Sequence, residues 1–222
     1  MAENVAAGRK ESSLFKDAFA LFIITLVAAA ALGFVYELTK DVIAERERQE
    51  KEAAYLAVYP EAARIEEDAG VNAMVERAEE ILTEGGFTGA VINEAMLVYN
   101  ASGEADGYAI NVSSMNGYGG EIALSMGYTA DGTLLGIQFT TLNETVGLGA
   151  RAAEEGEGSF KEQFANKQAD SFTVVKGGAS AGDEISAISG ATVTSEAVVE
   201  AVNAGIYFAK QMLENNTGGI GQ

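Results

Sequence analysis

GYAINVSSMNGYGGEIALSMGYTADGTLLGIQFTT, Gly107 to Thr141, decides the fold. Three runs within it, GYAINVSSMN, EIALSMGYT and TLLGIQFTT, alternate with a period of two and are parted by glycine-marked turns, so each reads as a strand. Immediately upstream, GAVINEAMLVYN (Gly89 to Asn100) and the turn ASGEADG add a fourth strand in sequence order. Short turns between consecutive strands call for an antiparallel sheet. Further upstream, VNAMVERAEEILTEGG (Val71 to Gly86) carries apolar residues at helical spacing and ends on a glycine stop. Downstream, a short helix near SFKEQFANK, a strand near SFTVV and a closing helix from about Ser195 to Leu213 complete an α+β domain over residues 61–215. Residues 216–222 read as a flexible tail.

Toward the N-terminus the pattern changes. Ala18 to Tyr36 (AFALFIITLVAAAALGFVY) is uncharged throughout and bounded by Asp17 and Glu37. At about 1.5 Å per residue such a run nearly matches the roughly 30 Å hydrocarbon slab, so residues 18–36 are expected to span a membrane. A cleaved signal peptide is the alternative, but helix-forming sequence continues where a cleavage site should stand. Residues 1–17 read as a polar tail, and residues 37–60 as a charged membrane-proximal helix closed by Pro60. Lys and Arg flank both ends of the span, so the charge count does not orient it.

Composition excludes several classes of function. With 33 acidic against 14 basic residues and a formal charge of -19, the chain lacks the clustered cations that nucleic acid requires. It has no His and no Cys. That removes disulfides, thiolate clusters, His-ligated haem, Ser-His-Asp triads and ordinary zinc sites, and no acidic calcium loop is present, so no metal site is expected. Redox chemistry would have to ride on an organic cofactor.

Three glycine-marked segments can carry chemistry: NGYGGE (Asn116 to Glu121), NETVGLGAR (Asn143 to Arg151) and ISGATVTS (Ile188 to Ser195). Each alone can be a simple turn, but three in one domain let backbone approach a flat or phosphorylated ligand. The last delivers Ser189, Thr192, Thr194 and Ser195 to a helix start, where Thr194 or Ser195 would serve as cap. Free amides at that start suit a phosphate, and Met115, Leu142, Val146 and Leu148 beside the glycines suit an apolar ring. Phosphate plus flat ring points to flavin mononucleotide.

These residues carry a resemblance. The single span followed by LTKDVIAE, then GYGGEIALSMGYTADGTLLGI, the E-T-x-G-L-G-A segment at Glu144 to Ala150 and S-G-A-T-x-T-S at Ser189 to Ser195 resemble the FMN-binding domain family, in particular the G subunits of Rnf-type ion-translocating ferredoxin:NAD oxidoreductases. The C subunits of sodium-translocating NADH:quinone reductases are similar too. The resemblance implies FMN joined covalently to Thr192 by a phosphoester, placed there by a flavin transferase, with Ser189, Gly190 and Ala191 shaping the turn. It implies that Glu144, Thr145, Gly147, Leu148 and Gly149 lie along the flavin and that Gly117, Tyr118, Gly119 and Gly120 flank it. It further implies a single-pass membrane protein with a cytoplasmic N-terminus and an extracytoplasmic domain, relaying electrons among other membrane and peripheral subunits of its complex. Two positions depart from the family pattern: Ser186 stands where an aspartate is usual, and Val146 where a proline is usual. No G-x-G-x-x-G fingerprint follows a first strand, so the chain alone is not expected to oxidise NADH. The competing reading is a membrane-tethered scaffold without flavin.

Overall fold

The structure, a computed structural model, describes residues 11–220. The chain divides into two compact units, residues 1–49 and 50–222. Helix α1 (Glu11–Val58) is continuous, so the expected span and membrane-proximal helix are one element, and residues 11–17 of the expected tail are helical. Residues 1–10 of that tail lie outside the described residues. No residue between Tyr36 and Val58 breaks helical geometry, and Pro60 ends it as expected. Among the described residues, α1 is the one helix long and apolar enough to cross a membrane.

In the second unit, strand β1 (Arg64–Glu66) leads into helices α2 (Ala69–Glu76) and α3 (Ala78–Glu84). The expected single helix over 71–86 is thus broken at Arg77, whose φ of -103° and ψ of 8° leave the helical region. Strands β2 (Ala90–Tyr99), β3 (Ala105–Gly117), β4 (Gly120–Thr129) and β5 (Leu134–Leu142) follow, in the antiparallel order β1-β2-β3-β4-β5. The four long strands match the period-two reading, to which the structure adds β1, too short to show a period. The expected helix at SFKEQFANK is only a 3-10 turn, Lys161–Phe164. Strand β6 (Thr173–Val175) pairs in parallel with β7 (Glu184–Ser186), a partner hidden in a glycine-rich stretch. Helix α4 (Thr192–Glu214) closes the domain.

The α4 face of the sheet holds the main core. Tyr108, Ile110, Val112, Leu124 and Met126 are fully buried with Val198, Val202, Ile206 and Phe208 of α4. At about 25 cal/mol per Å² of apolar surface, this burial dominates the domain's stability. On the other face, Tyr55 and Tyr59 pack against Val98 and Ala109. The Tyr59 hydroxyl donates to Asp106 Oδ2 at 2.7 Å, and that of Tyr55 to Glu94 Oε2 at 2.9 Å. Burial raises the Tyr59 and Tyr108 phenols well above their ordinary range, which keeps both as donors. Tyr108 donates to the Thr217 carbonyl at 2.7 Å, and Ile220 is buried. The expected loose tail is therefore packed through residue 220, while 221 and 222 lie outside the described residues.

Candidate functional site

The three glycine-marked segments meet at one end of the sheet. The β3–β4 hairpin closes at the pair Gly117↔Gly120, leaving Tyr118 and Gly119 as its tip. A Cβ on Gly119 would sit 2.0 Å from the Asn143 carbonyl oxygen, so only glycine lets the tip touch the loop that leaves β5. The Gly119 amide donates to Glu144 Oε1 at 3.2 Å and fastens the two together. Within that loop, the Thr145 carbonyl accepts from the Leu148 and Ala150 amides, which folds Val146 to Gly149 into a turn without the proline of the family pattern.

The same loop reaches the start of α4. A Cβ on Gly149 would lie 2.6 Å from Thr194 Oγ1 and 2.7 Å from Glu144 Oε2. Gly190 adopts φ +80°, and Leu148 Cδ2 lies 3.1 Å from where its Cβ would be. This left-handed conformation lets Ile188 to Thr192 turn sharply into the helix. The Ala191 amide donates to the Ile188 carbonyl at 2.9 Å and the Ser195 amide to the Ala191 carbonyl at 3.0 Å.

Between these segments lies a cavity of about 540 Å³. One wall is formed by Gly190, Ala191, Thr192, Val193 and Thr194, the other by Glu144, Thr145, Leu148 and Gly149, with Tyr118 at the rim. Among the expected site residues, Gly117, Gly119, Gly120 and Gly147 shape the hairpin and loop behind the walls, and Ser189 lines a neighbouring cavity of about 350 Å³ with Ser186 and Gln163. Sequence reasoning misses Val193 and Thr194 as site residues. Their position follows from the true helix start: α4 begins at Thr192, three residues ahead of the expected Ser195, which puts residues 192–194 in its first turn.

The capping expectation for Thr194 and Ser195 is corrected. The residue preceding α4 is Ala191, and no side chain caps this helix. Ser195 Oγ instead accepts from the Ile188 amide and donates to the Ala191 carbonyl, each at 2.9 Å, tying the turn to the helix from behind. Ser186, in the place of the usual aspartate, accepts from the Ala179 amide through Oγ at 2.7 Å. Its own backbone is held from both sides by the Gln163 amide group. The segment entering the turn is therefore anchored without a carboxylate at 186.

The arrangement suits an anionic group joined to a flat apolar one. The first amides of a helix have no intrahelical partner and carry the positive end of its dipole. No Lys or Arg lines this cavity, so the helix start would hold a phosphate through backbone alone. Thr192, half-buried, sets its hydroxyl at that same place. Leu148, Val193 and Tyr118, exposed by 44%, 48% and 76%, offer apolar surface at the cavity mouth. The uncapped start, the space kept open at Gly149 and these apolar walls together fit FMN.

The fold and the family models define a flavin-binding protein with an apolar N-terminal helix: residues 117–207 match the family model described as FMN-binding domain, and residues 1–58 the RnfG N-terminal region. The chain is 36% identical over 197 residues to the G subunit of the Na(+)-translocating ferredoxin:NAD(+) oxidoreductase complex of Acetobacterium woodii, covering 87% of this chain and 90% of that relative. It is 29% identical to the G subunit of the ion-translocating oxidoreductase complex of Shewanella amazonensis, with 89% of each chain covered. The chain belongs to this family of G subunits, whose N-terminal and FMN-binding regions it carries in order. Shewanella oneidensis NqrC, known from a crystal structure, aligns with a TM-score of 0.47 at 22% identity over 55% of this chain and 59% of its own.

Proposed function

We propose that this chain is the membrane-anchored flavin subunit of an Rnf-type ion-translocating ferredoxin:NAD oxidoreductase, and that its FMN is held by a phosphoester to Thr192. The observation that carries the reading is the Thr192 hydroxyl at the first position of an uncapped helix, inside a cavity whose opposite wall is the Glu144–Gly149 loop. A phosphoryl group on that oxygen would receive the free amides of the helix start. FMN, when bound, supplies a reversible carrier of one or two electrons. The residues around it supply position: the turn fixes the phosphate end, and the glycine loop and hairpin tip keep space for the ring. The names of the relatives support a place within a larger complex, with the other subunits as partners in electron relay.

The family resemblance implies maturation by a flavin transferase. We read the domain as lying outside the cytoplasm with the N-terminus inside, as the family resemblance implies; the charge count does not orient the span. Intact mass and ultraviolet in-gel fluorescence of the protein made with and without a flavin transferase test the attachment. The FMN increment should appear only with the transferase and survive denaturation; equal masses in both preparations would refute it. Protease added outside intact inner membranes should digest the domain, and full protection of the chain would refute the orientation.

A further inference from the structure

We infer that Thr194 is itself a flavin-binding residue, paired with Glu144 at the back of the cavity; the inference rests on the assignment of the cavity to FMN. Thr194 is 1% exposed, yet it caps nothing and forms no hydrogen bond within the described chain. Its neighbour Ser195, equally buried, has both a donor and an acceptor. The Thr194 oxygen is not sealed off as Ser159 Oγ is, which is buried without a partner, so the Thr194 hydroxyl is left to bond what enters the cavity. Thr194 lines the cavity, its Oγ1 packed beside Gly149 where a Cβ would come within 2.6 Å, so its partner is to be sought in the ligand.

Glu144 lines the same cavity. Its Oε1 accepts from the Gly119 amide, while Oε2 lies against Gly149 on the side of Thr194. A carboxylate only accepts and a hydroxyl can donate, so the pair matches a group presenting an N–H beside a carbonyl oxygen. The flavin ring offers such an edge, whereas the phosphate end does not. Gly149 is the third part of the device, since any side chain there would collide with both oxygens.

A hydrogen bond donated by Thr194 to a ring carbonyl would stabilise the negative charge that reduction places on the ring, and so raise its potential. The test uses the full-length protein made with the transferase, comparing the parent, Thr194→Val and Thr194→Ser. Thr194→Val should still gain the FMN mass on Thr192 but show shifted visible absorption bands and a lowered midpoint potential, with Thr194→Ser returning both toward the parent. Loss of FMN in Thr194→Val alone, with Thr194→Ser and the parent flavinylated and circular dichroism unchanged, also supports a required hydroxyl. Spectra and potential equal to the parent in Thr194→Val would overturn the inference. So would equal shifts, or equal loss of FMN, in both variants, because shape and not the hydroxyl would then be responsible. A parent that gains no FMN, or gains it elsewhere than Thr192, would bring down the reading of Thr192 and this inference with it.

Discussion

Helices α2 and α4 begin in opposite ways. At α2, Asp68 accepts from the Gly70 and Val71 amides at 2.8 and 3.0 Å, so the start of an eight-residue helix is closed by its own cap. The 23-residue α4, which carries much of the core, begins after Ala191 with no side-chain cap, although four hydroxyls lie close by. A cap contributes typically about 1 kcal/mol, so leaving the more important helix without one sacrifices stability at a place where suitable residues were available. The same domain closes another set of amides with a carboxylate: Glu184 Oε2 accepts from the Ser180 and Ala181 amides at 2.7 and 3.1 Å. Acceptors from the chain are thus supplied at α2 and at the Ser180–Ala181 turn, away from the cavity, and absent at the start of α4, which lines it.

The contrast can be broken at its strongest point by Gly149→Val. Its Cβ would sit 2.6 Å from Thr194 Oγ1, so the loop must move or the cavity close. Overpacking of this kind costs about 1 to 3 kcal/mol, and flavin incorporation should be lost or its absorption strongly altered. A parent-like flavin spectrum would show that the cavity is not where the ring lies. Asp68→Ala sharpens the comparison from the other side. It should lower stability by about 0.5 to 2 kcal/mol in denaturant unfolding and leave the flavin spectrum unchanged, because α2 lines no part of the cavity. A disturbed flavin in that variant would undo the distinction between the two helix starts.

The smallest effect belongs to Glu184. The Ser180 amide, the Ser180 hydroxyl and the Ala181 amide, in that order, hold its carboxyl below the ordinary value of 4.5. A group whose pKa is depressed on folding contributes stability above its unfolded value and loses it as pH falls through the folded one. Amide exchange at Ser180 and Ala181 should therefore quicken, relative to its normal pH trend, as pH drops below about 4.5. Glu184→Gln should remove this pH dependence, and a parent-like acid response in that variant would assign it to another group.

Those features of the fold that repeat were legible in the sequence. The period-two runs of β2 to β5 and the apolar run within α1 declare themselves because every residue adds to the same pattern. Strands of three residues, such as β1, β6 and β7, have no period to show, and they form because an edge or a partner elsewhere in the chain is available. The packing of Thr217 under Tyr108 is likewise set by a tertiary contact, and the break at Arg77 leaves no mark in the apolar spacing. In the site, the segments around Thr192, Glu144 and Tyr118 could be named from glycines and hydroxyls, with the family resemblance supplying their roles. The places of Thr194 and Ser195 could not. Both resemble caps in sequence, and only the helix start at Thr192 turns one toward the cavity and the other into the turn.

The central claim is that the start of α4 is left open for a phosphoryl group on Thr192. Its most direct test is the intact mass of Thr192→Val made with the transferase, read beside the parent and beside denaturant unfolding of both apoproteins. The parent should carry one FMN increment and the variant none, while the variant apoprotein unfolds close to the parent, since the Thr192 hydroxyl makes no hydrogen bond among the described residues. An FMN increment that persists on Thr192→Val would contradict the account.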